Sequence, residues 1–398
     1  MRILLLGEYS NVHNTLAEGL RLLGHDVTVA SNGDFWKDYP RDQDLVRRRG
    51  KLGGLALMAK VATLLPQWRG YDVVQLINPM FLELKAERIF PVYRYLRHHN
   101  RHVVLCALGM DHYWVNECVE RKPLRYSDFN TGDELRTDAV ALRDRYDWVN
   151  NAKERLNRMI ADDCDAIVAG LYEYYVCYQP HFQQKTQFIP LPIRSAQPGS
   201  SPTPLHTPLQ LFIGISRGRS AYKGTDIMLR AAQAVKEKYP DRLNLVTVEG
   251  VPFAQYQQLM NDSDVLMDQL YGYTPAMNAL LAMSKGIVVI GGGEPENYDI
   301  LGEKELRPII NVEPSYESVY NQLEQLVLHP ERLPLLKEQS IEYVRRHHDY
   351  LKVAKHYEKL YQSLTLNSQP LSLNPQLSTL ISQPSSLNPH LSTLNSQL

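Results

Sequence analysis

Cysteine is scarce in this 398-residue chain, and the four present (Cys106, Cys118, Cys164 and Cys177) form no C-x-x-C pair. Neither a zinc ribbon nor a disulfide-stapled secreted scaffold fits, and a reduced, cytoplasmic setting is expected. Net charge is nearly absent: 43 lysines and arginines stand against 44 acidic residues. No global field recruits nucleic acid, so no nucleic-acid partner is expected, and contact with an anionic membrane would need a local patch. No apolar run approaches the roughly 18 residues of a membrane span. The nearest, Leu52 to Leu65, is interrupted by Lys60. Met1 to Leu6 is too short for a signal-peptide core and reads as a first strand. G-x-G-x-x-G does not follow it, which speaks against a nicotinamide redox site, and the absence of H-E-x-x-H leaves no metal site to expect.

What the chain does have is alternation. Apolar strands at Arg2–Leu6, Asp26–Ala30, Asp72–Ile77, His102–Ala107 and Ala166–Val168 are separated by helical patterns at Asn11–Leu23 and at about 44–65, 82–99 and 134–160. Short apolar runs alternating with helices specify a parallel sheet covered by crossover helices, here over residues 1–193. Residues 194–208 carry four prolines and read as a linker. The alternation restarts over 209–345: strands Leu209–Ile215, Leu243–Val248, Asp264–Met267 and Ile287–Ile290, and helices Thr225–Lys238, Phe253–Met260 and Pro275–Ser284. The fold class is therefore α/β, two doubly wound Rossmann-like domains facing each other across a cleft. Helical patterns at about 315–328 and 330–364 follow, the second broken near His348–Asp349, so that 346–364 forms a closing helix. Residues 365–398 repeat with a period of 14, contain no charged residue and are expected to be disordered.

Ligands of open α/β sheets bind beyond the carboxyl ends of the strands. The strongest constellation there is Gly214-Ile-Ser-Arg217-Gly-Arg-Ser-Ala-Tyr-Lys223-Gly224, which leaves a strand and enters a helix. Arg217 can fork two phosphate oxygens and Lys223 can add a point charge, against the competing reading of a solvated basic turn. Thr274-Pro275 reads as the N-cap and first residue of a helix, whose free N–H groups around Thr274–Asn278 suit the same anion. Gly291-Gly-Gly-Glu294-Pro-Glu296 allows close backbone approach and offers Glu294 and Glu296 to sugar hydroxyls. In the first domain Gly7 and Glu8 end a strand facing the cleft. Asp111 and His112, with His13 as rival, are the candidates for acceptor binding or general-base work. Arg47-Arg-Arg-Gly-Lys51 precedes the Leu52–Leu65 stretch; a buried crossover helix is the favoured reading, and peripheral contact with a membrane is the alternative.

The second-domain residues resemble the GT-B glycosyltransferases of the family-4-like group 1 type, over about residues 1–364. Gly214-x-x-Arg217 with Lys223-Gly224, Asp264-Val-Leu-Met-Asp268, Ala282-Met283-Ser-Lys-Gly286 and the Gly-Gly-Gly-Glu loop come in that family's order. The resemblance implies a nucleoside-diphosphate-sugar co-substrate with no other cofactor, and transfer to a hydroxyl of a glycan or lipid-linked acceptor. It implies a retaining, metal-independent reaction in which Arg217 and Lys223 hold the diphosphate. One departure stands out. The family's Glu-x7-Glu pair is Tyr273 and Leu281 here, and leucine cannot accept a ribose hydroxyl. Glu294 or Glu296 would have to take over; the alternatives are a catalytically degenerate sugar-nucleotide or glycan-binding protein, or a sugar-nucleotide epimerase. Oligomeric state is left open.

Overall fold

The computed structural model describes residues 1–196, 202–215, 218 and 220–367. Most of the expected disordered tail, and Arg217 with it, lie outside these residues. Residues 365–367 continue the last helix.

Each half of the chain builds one parallel sheet. The first comprises β1 (Arg2–Leu6), β2 (Asp26–Ser31), β3 (Gln43–Asp44), β4 (Val73–Leu76) and β5 (His102–Ala107). After the short antiparallel hairpin β6 (Asn130–Thr131) and β7 (Glu134–Leu135), it is completed by β8 (Ala166–Ala169) and β9 (Thr186–Phe188). Its order is β3-β2-β1-β4-β5-β8-β9. The chain moves outward from β1 in both directions, so the switch point lies between β1 and β4. The second sheet comprises β10 (Leu209–Ile215), β11 (Leu243–Glu249), β12 (Val265–Met267), β13 (Val288–Gly291) and β14 (Ile310–Asn311), in the order β11-β10-β12-β13-β14. Its switch point lies between β10 and β12. The central strands are largely apolar because helices cover both faces: β4, β5 and β8 are buried at every position, Gln75 and His102 included.

Several helices depart from the pattern for local reasons. The stretch expected at 134–160 is two helices, Ala139–Trp148 and Ala152–Asp163. Asn150 takes a left-handed conformation between them, and the Asn151 side chain accepts from the amides of Lys153 and Glu154, starting the second helix. Helix Ala86–His99 begins later than expected. The 44–65 stretch forms a helix only from Lys51 to Leu64, because Gln43 and Asp44 pair with β2 at the sheet edge. Near the C-terminus a π-helical turn, Val344–His348, separates helix Leu333–Tyr343 from the closing helix Tyr350–Asn367.

That closing helix returns to the first domain. Ala354 packs so tightly on helix Val12–Leu22 that a Cβ on Gly19 would fall 2.7 Å from its methyl group. Tyr361 donates its hydroxyl to Gln75 Oε1 at 2.6 Å, and Gln75 lies on β4. The last helix and the first sheet thus share one core, which fixes the second domain between two crossings of the chain.

Candidate functional site

At the first switch point, Gly7 follows β1 with φ near +82°, and a Cβ there would fall 2.4 Å from Ile77 Cγ2. Glycine is required for the loops after β1 and β4 to meet this closely. Beyond them opens a cavity of about 1330 Å³, lined by Gly7, Glu8, Tyr9, the 80–87 loop and residues 145–153, all from the first domain. Glu8 lies on its wall, and its carboxylate also caps helix Val12–Leu22, accepting from the amides of His13 at 3.2 Å and Asn14 at 2.8 Å. Burial pushes Glu8 up to about 8 despite those amides, which favour the anion.

Three first-domain expectations are corrected by packing. His13 does not face the cavity; it is buried against the central strands β1 and β4 in a relay of matched donors and acceptors. Tyr361 O–H donates to Gln75, the Gln75 amide lies 3.2 Å from His13 Nε2, and Nδ1 lies 2.8 Å from the Gly7 carbonyl. That order assigns the proton to Nδ1 and leaves no nitrogen for a substrate. Asp111 is the N-cap of helix His112–Glu120, accepting from the Trp114 amide at 2.8 Å and from Tyr178 O–H at 2.7 Å, and burial raises it to about 6. His112 directs Nδ1 at the Trp148 carbonyl, 3.0 Å away, behind the cavity wall that Trp148 lines. Asp111 and His112 therefore position that wall and touch nothing inside it.

The buried histidines imply a pH dependence. Burial lowers His13 and His348 to about 4. Such groups stay neutral in the folded chain while the unfolded chain binds protons, so stability is lost as pH falls from about 6.5 towards 4. Between pH 7 and 5 each is expected to cost about 2 kcal/mol. Calorimetry across that range should show the decline, and a His13→Asn variant should show a shallower slope; an unchanged slope contradicts the assignment.

At the second switch point Lys223 ends the short helix Ser220–Lys223, and Gly224 caps helix Thr225–Lys238. Lys223 accepts the Leu270 amide on its carbonyl at 2.9 Å, joining the loops after β10 and β12. Its cation opposes the burial that raises the Asp268 carboxyl. Asn278 bridges outward, donating to Asp268 Oδ1 at 3.4 Å and accepting from Tyr256 O–H at 3.2 Å. Tyr256 in turn covers Gly214, where a Cβ would fall 2.7 Å from the ring. Lys223, Gly224, Asp268 and Asn278 thus converge around the carboxyl ends of β10 and β12.

Thr274 does not cap the helix that follows, which begins at Met277. Its amide and hydroxyl donate instead to Glu173 of the first domain, at 3.0 and 2.6 Å, and the Tyr273 amide joins them at 2.6 Å. A buried carboxylate from the other domain takes the place of a local cap. Glu294 and Glu296 are likewise engaged across the interface. Arg125 reaches Glu294 at 2.5 Å and Glu296 at 2.5 Å, while Glu294 also accepts from Tyr126 O–H at 2.5 Å and Asn311 at 2.9 Å. Tyr273, at the position of the missing glutamate, accepts the Arg125 amide at 2.6 Å and lies under its guanidinium.

The hairpin segment extends this closure. The Arg136 guanidinium stands 3.6 Å from the centre of the Tyr271 ring and donates to the Ala221 carbonyl at 2.8 Å. Asp128 accepts from Tyr222 O–H at 2.5 Å. The expected cleft is therefore bridged by residues 125–136 and Glu173, none of which carries a sequence motif. Only the Asp264–Asp268 stretch pointed to Asp268.

No protein-family model matches the sequence, and no curated protein matches it. Solved structures do. Sucrose-phosphate synthase from Thermosynechococcus elongatus aligns with 92% of this chain and 100% of its own, at 13% identity and a TM-score of 0.58. Anabaena HepE in complex with UDP and glucose aligns with 91% and 100%, at 12% identity and 0.55. UDP-GlcNAc 2-epimerase from Neisseria meningitidis, bound to UDP-GlcNAc, aligns with 91% and 100%, at 11% identity and 0.51. The fold is GT-B.

Proposed function

We propose that the chain transfers a sugar from a nucleoside-diphosphate-sugar to a hydroxyl of a glycan or lipid-linked acceptor. The observation that carries this reading is the second switch point. Lys223 and the start of helix Thr225–Lys238 converge there, and Asp268, Asn278 and Tyr256 make the adjoining polar wall. A cation beside a helix N-terminus suits a diphosphate whose negative charge grows as the sugar departs. Arg217, by the motif, adds a second cation. Solved neighbours that hold UDP with a sugar support the donor class. The first-domain cavity is the acceptor site, with Glu8 on its wall beside the first switch point.

In a retaining transfer the acceptor hydroxyl attacks on the face that the diphosphate leaves. The departing phosphate oxygen takes the hydroxyl proton, so no side-chain base is required. This agrees with the burial of His13, Asp111 and His112. Lys223 and Arg217 neutralise the diphosphate, and no metal is assigned that role. Activity is expected to survive EDTA unchanged; a loss restored by magnesium or manganese contradicts the metal-independent reading.

A sugar-nucleotide epimerase is the second reading, favoured by the epimerase among the neighbours; the absence of the glutamate pair at Tyr273 and Leu281 motivates the degenerate reading instead. The test is incubation with UDP-, GDP-, CDP- and ADP-sugars, with and without acceptor glycans. Nucleoside diphosphate released only when acceptor is present supports the transferase. Conversion of the donor sugar without acceptor supports the epimerase, and binding without turnover marks a degenerate enzyme.

A further inference from the structure

Helix Lys51–Leu64 reads in sequence as a buried crossover, yet it turns only a narrow stripe inward. Gly53, Leu57 and Val61 are buried, whereas Leu52 and Leu55 are 78% and 60% exposed, and Ala56, Ala59 and Ala62 are exposed beside them. A helix rich in apolar residues therefore presents leucines to its surroundings. The lead-in Arg47, Arg48 and Arg49 is exposed as well, and none of the three arginines forms an ion pair among the described residues. The nearby Asp44 is already held by Arg41 and Lys60. A Cβ on Gly53 would fall 1.7 Å from the Arg48 carbonyl oxygen, so a glycine is needed for the arginine segment to fold back onto the helix start. The fold thereby keeps unpaired cations beside exposed leucines.

This patch adjoins the mouth of the first-domain cavity. Arg47 and Leu45 line that cavity, and so do Phe35 and Tyr146, which are 61% and 83% exposed. Unpaired arginines beside an apolar surface match one partner best: lipid headgroups of negative charge, with acyl chains beneath them to receive the leucines. We propose that the rim formed by Arg48, Arg49, Leu52 and Leu55 docks on an anionic bilayer and brings the cavity mouth to the membrane surface. Resting on the transferase reading above, this makes the acceptor lipid-linked: its headgroup enters the cavity while its lipid remains in the bilayer.

Flotation of the full chain with vesicles tests the docking directly. With phosphatidylcholine vesicles containing about 30% phosphatidylglycerol the chain should float, and with phosphatidylcholine alone it should not. Leu52→Asp with Leu55→Asp, and separately Arg48→Glu with Arg49→Glu, should each lower the bound fraction by about tenfold or more. All four positions are exposed, so melting temperatures and stabilisation by UDP should match the wild type. Failure of the wild type to float, or flotation unaffected by either double substitution, overturns the proposal. A wild-type dimer that the leucine substitutions convert to monomer also overturns it, because a second copy then covers the face. If the vesicle results hold while no nucleoside diphosphate binds, the docking stands and the transferase reading fails.

Discussion

Replacing Arg217 and Lys223 together with alanine is expected to lower kcat/KM for sugar transfer by about 10²–10³-fold or more, the range seen when one charge-stabilising group is removed from a transition state. Lys223 sits on a backbone that suits the proposed role. Its backbone is tied to Leu270, so its side chain leaves from a fixed point between the loops that end β10 and β12. It stands near the half-buried Asp268 and offsets part of the desolvation that raises that carboxyl. A diphosphate arriving there meets a cation already paid for by the fold. The backbone bond to Leu270 is unchanged in the variant, so loss of activity without loss of melting temperature is the expected signature. Steady-state kinetics with the best donor checks it, and a decrease of less than about threefold contradicts the assignment.

Glu173→Ala is expected to destabilise the chain by about 3 kcal/mol or more, because it strands three buried donors at once. The amides of Tyr273 and Thr274 and the Thr274 hydroxyl all converge on this carboxylate. Water cannot replace it without opening the interface, since Tyr273, Thr274 and Glu173 are all buried. The loss should fall on the contact between domains rather than on either core. Calorimetry is therefore expected to show a lower and broader transition, split between the two domains. Glu173→Gln should recover part of the loss, because its amide oxygen still accepts. A Glu173→Ala variant that melts like the wild type shows that the contact contributes little.

The sheets were legible because β8 is wholly apolar and β1 and β5 are apolar after their first residue, and burial on both faces leaves little else for such runs to become. Lys223, Gly224 and Asn278 were legible because a strand-to-helix turn places its residues at a switch point whatever the tertiary detail. The interface was not. Arg125 and Glu294 are far apart in sequence, as are Glu173 and Thr274, and no local period records such a pairing. Asp111 misled because an aspartate at the end of a strand reads the same whether it serves a substrate or caps the next helix. Thr274-Pro275 misled for a related reason: its capping pattern is genuine, but a buried glutamate from the other domain captured the donors. The Leu52–Leu65 stretch looked like core because its composition is apolar, whereas burial depends on how wide a face the sheet can cover.

Thermal unfolding of the full chain against UDP, GDP, CDP, ADP and NAD decides whether the second switch point takes a nucleoside diphosphate. A ligand that binds only the folded state raises the melting temperature by mass action. One nucleoside diphosphate should raise it by several degrees at about 100 times its Kd, and the Arg217→Ala, Lys223→Ala variant should show no such rise. If none of the nucleoside diphosphates stabilises the wild type, or only NAD does, the donor site at Lys223 and the transferase reading built on it are both wrong.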